Sequence, residues 1–224
     1  IPTICLHKEG IMSNIFRENY LNTLINKRAR FNGKKLLVYN QITKDTFVNS
    51  NYDGNLIEIV GSVRFDNIFN LLNTKIDQKK IVLFHPSINA QLPDLLGVKY
   101  NFNWSEIVNK FYITIEKLLF ELPEHNFILK IKTRDNLNIK KYINKNYKNL
   151  IVDNNTSSIS LLKNAKLCVG FNTTALIESS AFGIPTINFI SKKNLNKFED
   201  YVIDYKSLVI HSDQYEIIKK LAKI

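Results

Sequence analysis

The sequence has few of the residues that give proteins special covalent or metal chemistry. Its two cysteines, Cys5 and Cys168, lie in apolar runs typical of buried strands, so we expect two free thiols and no disulfide. The four histidines are scattered along the chain, and we expect no metal site. Neither a disulfide framework nor a bound metal is therefore expected to hold this protein together.

Glycine, proline and long apolar runs are also scarce. Seven glycines and five prolines among 224 residues, with 45% hydrophobic residues, exclude collagen-like and disordered chains. The longest apolar runs, such as Ile81 to Phe84 and Leu167 to Phe171, are strand-sized and far below the roughly 20 residues that a membrane span needs. These features predict a folded globule with no membrane-crossing segment.

Two common nucleotide-binding motifs are missing as well. The sequence has no Walker A motif, which argues against P-loop nucleotide hydrolysis. It has no Gly-x-Gly-x-x-Gly after a strand, which argues against a nicotinamide enzyme.

Positive charge, in contrast, is in excess. A formal net charge of +11 attracts polyanions in general: nucleic acid, anionic lipid headgroups or a small molecule that carries phosphate. The first residue is Ile1 and no targeting segment is recognisable, so we expect a cytoplasmic protein, with the inner face of the plasma membrane as a further possible site.

Short apolar runs rich in β-branched residues alternate with longer helical stretches, which is typical of βαβ units and predicts a doubly wound, Rossmann-like parallel sheet. The predicted strands are Ile4–Leu6, Leu36–Tyr39, Ile57–Val60, Ile81–His85, Phe127–Ile131, Leu150–Val152, Leu167–Phe171, Thr186–Phe189 and Leu208–Ile210. The predicted helices are Asn67–Leu72, Ser105–Leu122 with Ser105 as its N-cap, Ile139–Asn146, Ser158–Asn164, Thr174–Phe182 and Gln214–Lys223.

A domain boundary is predicted near residue 78. Residues 79–224 carry the complete alternation of one doubly wound domain. Residues 1–78 carry only about three strands, too few for an independent α/β domain, so we interpret them as the end of a preceding α/β domain and a crossover.

One stretch gives the strongest functional signal. A buried strand ending at Gly170 is followed by the polar elbow Asn172-Thr173-Thr174 and by a helix that contains Glu178. Ligands of open α/β sheets bind at the carboxyl ends of strands, where backbone N–H groups suit phosphate. The elbow is thus a predicted phosphate seat, and Glu178 is placed to accept from a ribose hydroxyl. Taken singly, these residues are also explained as an N-cap and a helix dipole partner.

This order of strand, glycine, small polar residues, Glu178 and then Ala181-Phe182-Gly183-Ile184-Pro185-Thr186 resembles the C-terminal nucleotide-binding domain of GT-B glycosyltransferases and of the related UDP-sugar 2-epimerases. Similar elbows occur in Kdo transferases and in the glycerophosphotransferases of teichoic acid synthesis. The resemblance implies an enzyme that takes a nucleotide-sugar as substrate, with no further cofactor. The lack of an Asp-x-Asp motif agrees with the metal-independent chemistry of such enzymes.

Two sites near the N-terminus fit that resemblance. His7-Lys8-Glu9 is similar to the loop that closes the acceptor domain in surface-carbohydrate enzymes, which implies Glu9 as general base and His7 or Lys8 in contact with acceptor or phosphate. The segment Gly61 to Asp66 resembles a Gly-x-x-Arg-x-Asp crossover, with Arg64 gripping phosphate and Asp66 as a second catalytic carboxylate. A solvated turn and an Arg–Asp staple are the structural alternatives.

A third site combines the ends of two strands. His85 follows one predicted strand, and Lys130 and Lys132 end the next, so the three residues are expected at one edge of the sheet. Two ammonium groups there would neutralise phosphate without metal, and His85 would hydrogen-bond it. Solvated lysines at a strand end are the alternative, and the family's proline between the lysines is replaced here by Ile131.

The combined interpretation is a GT-B glycosyltransferase of bacterial surface-polysaccharide synthesis, with CMP-Kdo-type and UDP-sugar donors as candidates. A glycan or lipid-linked acceptor is expected, and the basic surface would favour an anionic membrane. Two alternatives stay open: a UDP-N-acetylhexosamine 2-epimerase, which is suggested by His211 near the end of a late strand, and a basic nucleic-acid-binding module, which is suggested by the net charge. Nucleic acid is not the expected partner, because no aromatic-interleaved basic stretch or recognition helix is apparent.

Overall fold

The computed structural model describes residues 3–7, 31–69, 76–86, 104–132, 135, 138–197, 199, 202–203 and 205–224. Within these residues the chain is an α/β protein with two parallel sheets. The strands are β1 (Ile4–Leu6), β2 (Lys35–Val38), β3 (Ile57–Ile59), β4 (Lys80–Phe84), β5 (Asn126–Lys130), β6 (Leu150–Asp153), β7 (Leu167–Gly170), β8 (Thr186–Asn188) and β9 (Ile210–His211). The helices are α1 (Gln41–Val48), α2 (Asp66–Phe69), α3 (Trp104–Glu121), α4 (Ser158–Leu162), α5 (Ala175–Ala181), α6 (Lys192–Lys197) and α7 (Tyr215–Lys223).

The larger sheet has six parallel strands in the order β6-β5-β4-β7-β8-β9. Within this sheet β4 comes first along the chain and lies in the centre. Strands β5 and β6 follow on one side of it, and β7, β8 and β9 then follow on the other side. Near-continuous apolar runs form β4 and β7, as expected for strands that are covered on both faces. The predicted doubly wound, Rossmann-like fold class is confirmed.

A smaller parallel sheet has the order β1-β2-β3. Its core is a separate cluster of buried residues, Leu36, Val38, Phe47 and Ile57. The predicted division of the chain at residue 78 stays a prediction about domain organisation.

Helix α3 packs one long apolar face on the larger sheet. Phe111, Ile115, Leu118 and Leu119 are at most 2% exposed, and they fall at the helical spacing predicted from the sequence. The helix begins at Trp104, one residue before the predicted N-cap Ser105. The helix ends at Glu121, because Pro123 disfavours helical backbone at Leu122, the residue before it.

One predicted helix was wrong, and helix α1 was not among the predicted elements. The predicted helix at residues 139–146 is a single 3₁₀ turn, Ile139–Lys141, because Asn144 and Asn146 favour local turns over a helix interior. Helix α1 contains β-branched threonines, which have low helix propensity. Asn40 explains that helix: its side-chain oxygen accepts from both the N–H and the hydroxyl of Thr43, each at 2.8 Å.

Gly183 ends helix α5 and leads the chain into β8. Its φ of +72° lies in the left-handed region, and Ile184 N–H closes the turn onto the Ser179 carbonyl at 3.2 Å. Gly183→Ala is expected to lower the unfolding free energy by about 1–2 kcal/mol, because alanine carries a steric penalty there. Urea unfolding measures this. Gly183→Asn should recover part of the loss, since asparagine tolerates this backbone, and equal losses for both variants would contradict the explanation.

Candidate functional site

The carboxyl ends of the six strands form one row of residues. The strand pairing sets Lys130 beside Asp153, Phe84 beside Lys130, Gly170 beside Asn188, and Asn188 beside His211. The strand-end residues therefore lie at one edge of the sheet, as the sequence predicted. Ligands of such sheets bind outside this edge where the strand order reverses, and here that point lies between β4 and β7.

Gly170 allows the two central strands to approach closely at this point. A Cβ atom on Gly170 would lie 3.0 Å from Phe84 Cβ and 3.2 Å from Leu176 Cδ2. A side chain at this position would need these neighbours to move by a few tenths of an ångström. The glycine at the end of the predicted strand therefore favours close packing at the switch point.

The elbow after β7 is held from three sides. Asn172 has a φ of 47°, and its N–H donates to Asn188 Oδ1 at 3.1 Å. Its side-chain oxygen accepts from Ile203 N–H at 2.8 Å, and the Tyr205 hydroxyl donates to the Thr173 carbonyl at 3.0 Å. The side chain of Asn172, predicted to bind phosphate, thus holds the loop that contains Ile203.

Thr173 and Thr174 present the elbow's backbone donors. Thr174 is at the N-cap position of α5 but its side chain makes no capping hydrogen bond, whereas Thr173 Oγ1 accepts from Ala175 N–H at 3.4 Å. Within the described ranges, neither Thr173 nor Thr174 donates its backbone N–H to an acceptor. Two N–H groups are thus available for an anion, as phosphate binding requires.

Glu178 is buried on the inner side of α5 and has no solvent exposure. Burial raises the pKa of the neighbouring Cys168 thiol to about 12. A hydrogen bond with the Ser179 side chain opposes this rise, and the nearby Glu178 charge adds to it. In this conformation the Glu178 carboxylate is out of reach of a ribose. The contact with ribose stays a prediction that needs the side chain to move.

His85 lies at the switch point, directly after β4. The residue is 7% exposed, and its Nδ1 atom is 2.8 Å from the Tyr112 hydroxyl of α3. Burial lowers the pKa of the His85 imidazole to about 4, with Asp135 opposing and Lys132 adding to this effect. The ring is therefore neutral at physiological pH and has one N–H.

The two predicted phosphate lysines differ in their surroundings. Lys130 Nζ pairs with Asp153 Oδ1 at 3.0 Å, and Asp153 also accepts from the N–H and the hydroxyl of Thr156. Burial acts to raise the pKa of Asp153, but the hydrogen bonds from Thr156 and Lys130 lower it on balance. Lys130 is thus engaged within the sheet edge, whereas Lys132 is exposed beyond it.

The predicted N-terminal sites are only partly described. His7 donates its N–H to the Leu37 carbonyl at 2.8 Å, and its ring meets Phe47 edge-on at 5.1 Å. Lys8 and Glu9 lie outside the described residues. The backbone of Arg64 is in a 3₁₀ turn, its side chain lies outside the described part, and Asp66 is exposed at the start of α2.

Two pockets open near the carboxyl edge of the larger sheet. One, of about 190 Å³, contains the Lys110–Asp213 ion pair, with 2.5 Å between Nζ and Oδ2, and is also lined by Ser191 and Asn194. The other, of about 290 Å³, is lined in part by Tyr205 and His211.

Among the described residues, no group of His, Cys, Asp or Glu side chains is suited to hold a metal ion. No described helix is long and apolar enough to cross a membrane.

Three residues that support this site were not identified from the sequence: Tyr112, Asn188 and Tyr205. Asn188 could have been found, because a polar residue at the end of an apolar strand suggests a buried hydrogen-bonding role. Tyr112 and Tyr205 lie far along the chain from the groups that they contact, and no local pattern marks them.

The six-stranded parallel sheet defines a doubly wound, Rossmann-like fold. Residues 57–224 match the family described as protein of unknown function, DUF354, and the chain belongs to that family. No curated protein matches the sequence significantly.

Several solved structures share this fold. A single-substitution variant of the wall teichoic acid polymerase TagF matches with a TM-score of 0.60 and 13% identity, over 100% of this chain and 59% of that chain. TagF itself gives 0.56 and 14% over the same shares. The UDP-GlcNAc 2-epimerase from Methanocaldococcus jannaschii gives 0.51 and 16%, over 86% of this chain and 55% of that chain.

The TM-scores of these matches show a common fold. The structural neighbours with this fold include a wall teichoic acid polymerase and a UDP-GlcNAc 2-epimerase. The chain spans a little over half the length of the solved structures that it matches here.

Proposed function

We propose that this chain contributes the donor-binding half of a glycosyltransferase that uses a nucleotide-activated sugar. The observation that carries the proposal is the elbow at the switch point, where two backbone N–H groups at Thr173 and Thr174 have no acceptor among the described residues. The likeness in fold to TagF supports a transferase, since TagF is a wall teichoic acid polymerase. A role in surface-polysaccharide assembly is the corresponding cellular proposal.

The proposed chemistry is stabilisation of the leaving nucleotide without metal. The Thr173 and Thr174 N–H groups bind the phosphate next to the sugar, and His85 and Lys132 approach it from the ends of β4 and β5. Lys130 acts indirectly, because its pair with Asp153 holds the edge of the sheet beside Lys132. Arg64, Asp66, His7, Lys8 and Glu9 keep their proposed roles in phosphate contact and acceptor activation.

The experiment is a calorimetric panel of CMP, CDP, UDP, GDP and their sugar conjugates. We expect saturable binding with a preference for one base, weakened roughly tenfold in Lys132→Ala, which loses an ammonium donor, and in Thr174→Pro, which loses a backbone N–H at a φ of −61° that proline adopts. Lys148→Ala is the matched control for Lys132→Ala, since Lys148 is exposed and precedes the amino end of β6, at the opposite edge of the sheet. A uridine nucleotide is the first probe, given the epimerase likeness.

Binding that is equal in all variants would place the nucleotide elsewhere, and no binding at millimolar concentration would remove the proposal. In the second case a salt-dependent affinity for oligonucleotides would favour the nucleic-acid alternative. The net charge of +11 also supports an anionic, lipid-linked acceptor. Sedimentation with phosphatidylglycerol vesicles that is independent of salt concentration would count against that part of the proposal.

A UDP-N-acetylhexosamine 2-epimerase is the second candidate, because its fold matches with a TM-score of 0.51. Incubation with a UDP-hexosamine alone separates the two functions. An epimerase changes this substrate without an acceptor, and a transferase does not.

A further inference from the structure

We infer that Tyr112 is a positioning residue that fixes His85 in the tautomer with its proton on Nε2, so that His85 serves the phosphate as a neutral hydrogen-bond donor and not as a general base. This inference deepens the proposed function, since it assigns the role of one residue at the same site. It depends on the hydrogen-bonding capacity of two buried groups.

Tyr112 is held in place by three neighbouring rings. It is 2% exposed, its ring stacks on Tyr142 with centroids 4.5 Å apart and an angle of 18°, and Phe111 meets it edge-on at 5.5 Å. The rings of His85 and Tyr112 are 5.9 Å apart, with the hydroxyl 2.8 Å from Nδ1. The tyrosine therefore cannot turn its hydroxyl towards solvent without disrupting this packing.

The position of the proton follows from the available acceptors. If His85 Nδ1–H donated to the Tyr112 oxygen, the Tyr112 O–H would need another acceptor, and among the described residues its hydrogen-bond partner is His85. A buried hydroxyl without an acceptor is costly. The favourable arrangement has Tyr112 O–H donating to an unprotonated Nδ1. Since burial raises the pKa of Tyr112, this hydroxyl keeps its proton.

The remaining nitrogen of His85 then carries the proton. Nε2 makes no hydrogen bond to a described residue, and His85 directly follows β4, the strand that pairs with β7 ahead of the elbow. A neutral imidazole with Nδ1 occupied has one N–H to offer, at Nε2. It can therefore donate to a phosphate oxygen, but it cannot remove a proton from an acceptor without first losing its own.

The first test reads the tautomer directly and needs no nucleotide. In long-range ¹H–¹⁵N spectra of ¹⁵N-histidine-labelled protein at pH 7, His85 Nδ1 should have the shift of an unprotonated nitrogen and Nε2 that of a protonated one. In Tyr112→Phe this preference should weaken towards a mixture of tautomers. The opposite assignment in the wild type, or an unchanged spectrum in Tyr112→Phe, would overturn the inference.

The second test uses two amides as mimics of the two ring nitrogens. A glutamine amide reaches the position of Nε2, and an asparagine amide that of Nδ1. With UDP as the probe, His85→Gln should keep affinity within about threefold of wild type, whereas His85→Asn and His85→Ala should lose roughly tenfold. Equal losses in all three variants would contradict a donor at Nε2. Failure of the wild type to bind UDP would remove the proposed function and leave the tautomer result standing.

Discussion

Replacing Asn188 with leucine is expected to lower the unfolding free energy by about 2–4 kcal/mol and to abolish measurable nucleotide binding. Asn188 has no solvent exposure, and its side chain accepts from Asn172 N–H and lies 3.2 Å from His211 Nδ1. Because its oxygen is already an acceptor for Asn172, its Nδ2 is the donor to His211. Leucine fits the volume but satisfies neither partner, so the elbow loses its support. Urea unfolding and UDP calorimetry measure the two effects.

Two further variants separate the contributions of Asn188. Asn188→Asp keeps the acceptor for Asn172 N–H and removes the donor to His211, so it should retain more affinity for UDP than Asn188→Leu. Asn146→Leu is the matched control, since Asn146 is exposed and surface substitutions usually change stability by less than 0.5 kcal/mol. A loss in stability without a difference in affinity between the leucine and aspartate variants would show that Asn188 does not position the elbow.

The sheet was predictable because its strands are short apolar runs separated by helices, and burial on both faces leaves little else that such runs can form. The nine predicted strands are all present. Strand β1 has the predicted bounds, and the other eight differ by one or two residues at their ends; the largest shift is at β9, which is Ile210–His211 in place of Leu208–Ile210. Helix α1 and the turn at Ile139 were not predictable in the same way. Both depend on how asparagine side chains bond to nearby backbone, and that choice is settled by tertiary context.

The sequence predicted where the candidate site lies better than it predicted what each side chain does there. Parallel strands place their carboxyl ends at one edge, so the joint position of His85, Lys130 and the elbow follows from the pattern. The pairing of Lys130 with Asp153 does not, because it depends on the register of β5 against β6. The same holds for Glu178, whose burial depends on the face that α5 turns to the sheet.

The stability of the protein is expected to fall by about 3 kcal/mol between pH 6.5 and pH 4 through the titration of His85. Burial lowers the pKa of this imidazole from 6.5 to about 4, with Asp135 opposing and Lys132 adding to the effect. In this window the unfolded chain binds a proton at residue 85 that the folded protein rejects, so the unfolding free energy decreases as the pH falls. Above pH 6.5 both states are neutral and the effect vanishes.

His85→Gln isolates this effect, because glutamine does not titrate while all other ionisable groups are present in both proteins. Carboxyls with lowered pKa values, such as Asp153, also lose stabilising interactions in acid, but they do so equally in the two proteins. The difference in unfolding free energy between wild type and variant, measured by urea unfolding at half-unit steps of pH, should therefore shift by about 3 kcal/mol towards the variant on going from pH 7 to pH 4. Parallel profiles would mean that His85 titrates at its ordinary pKa and is open to water, which would also remove the reason for a fixed, neutral donor at the end of β4.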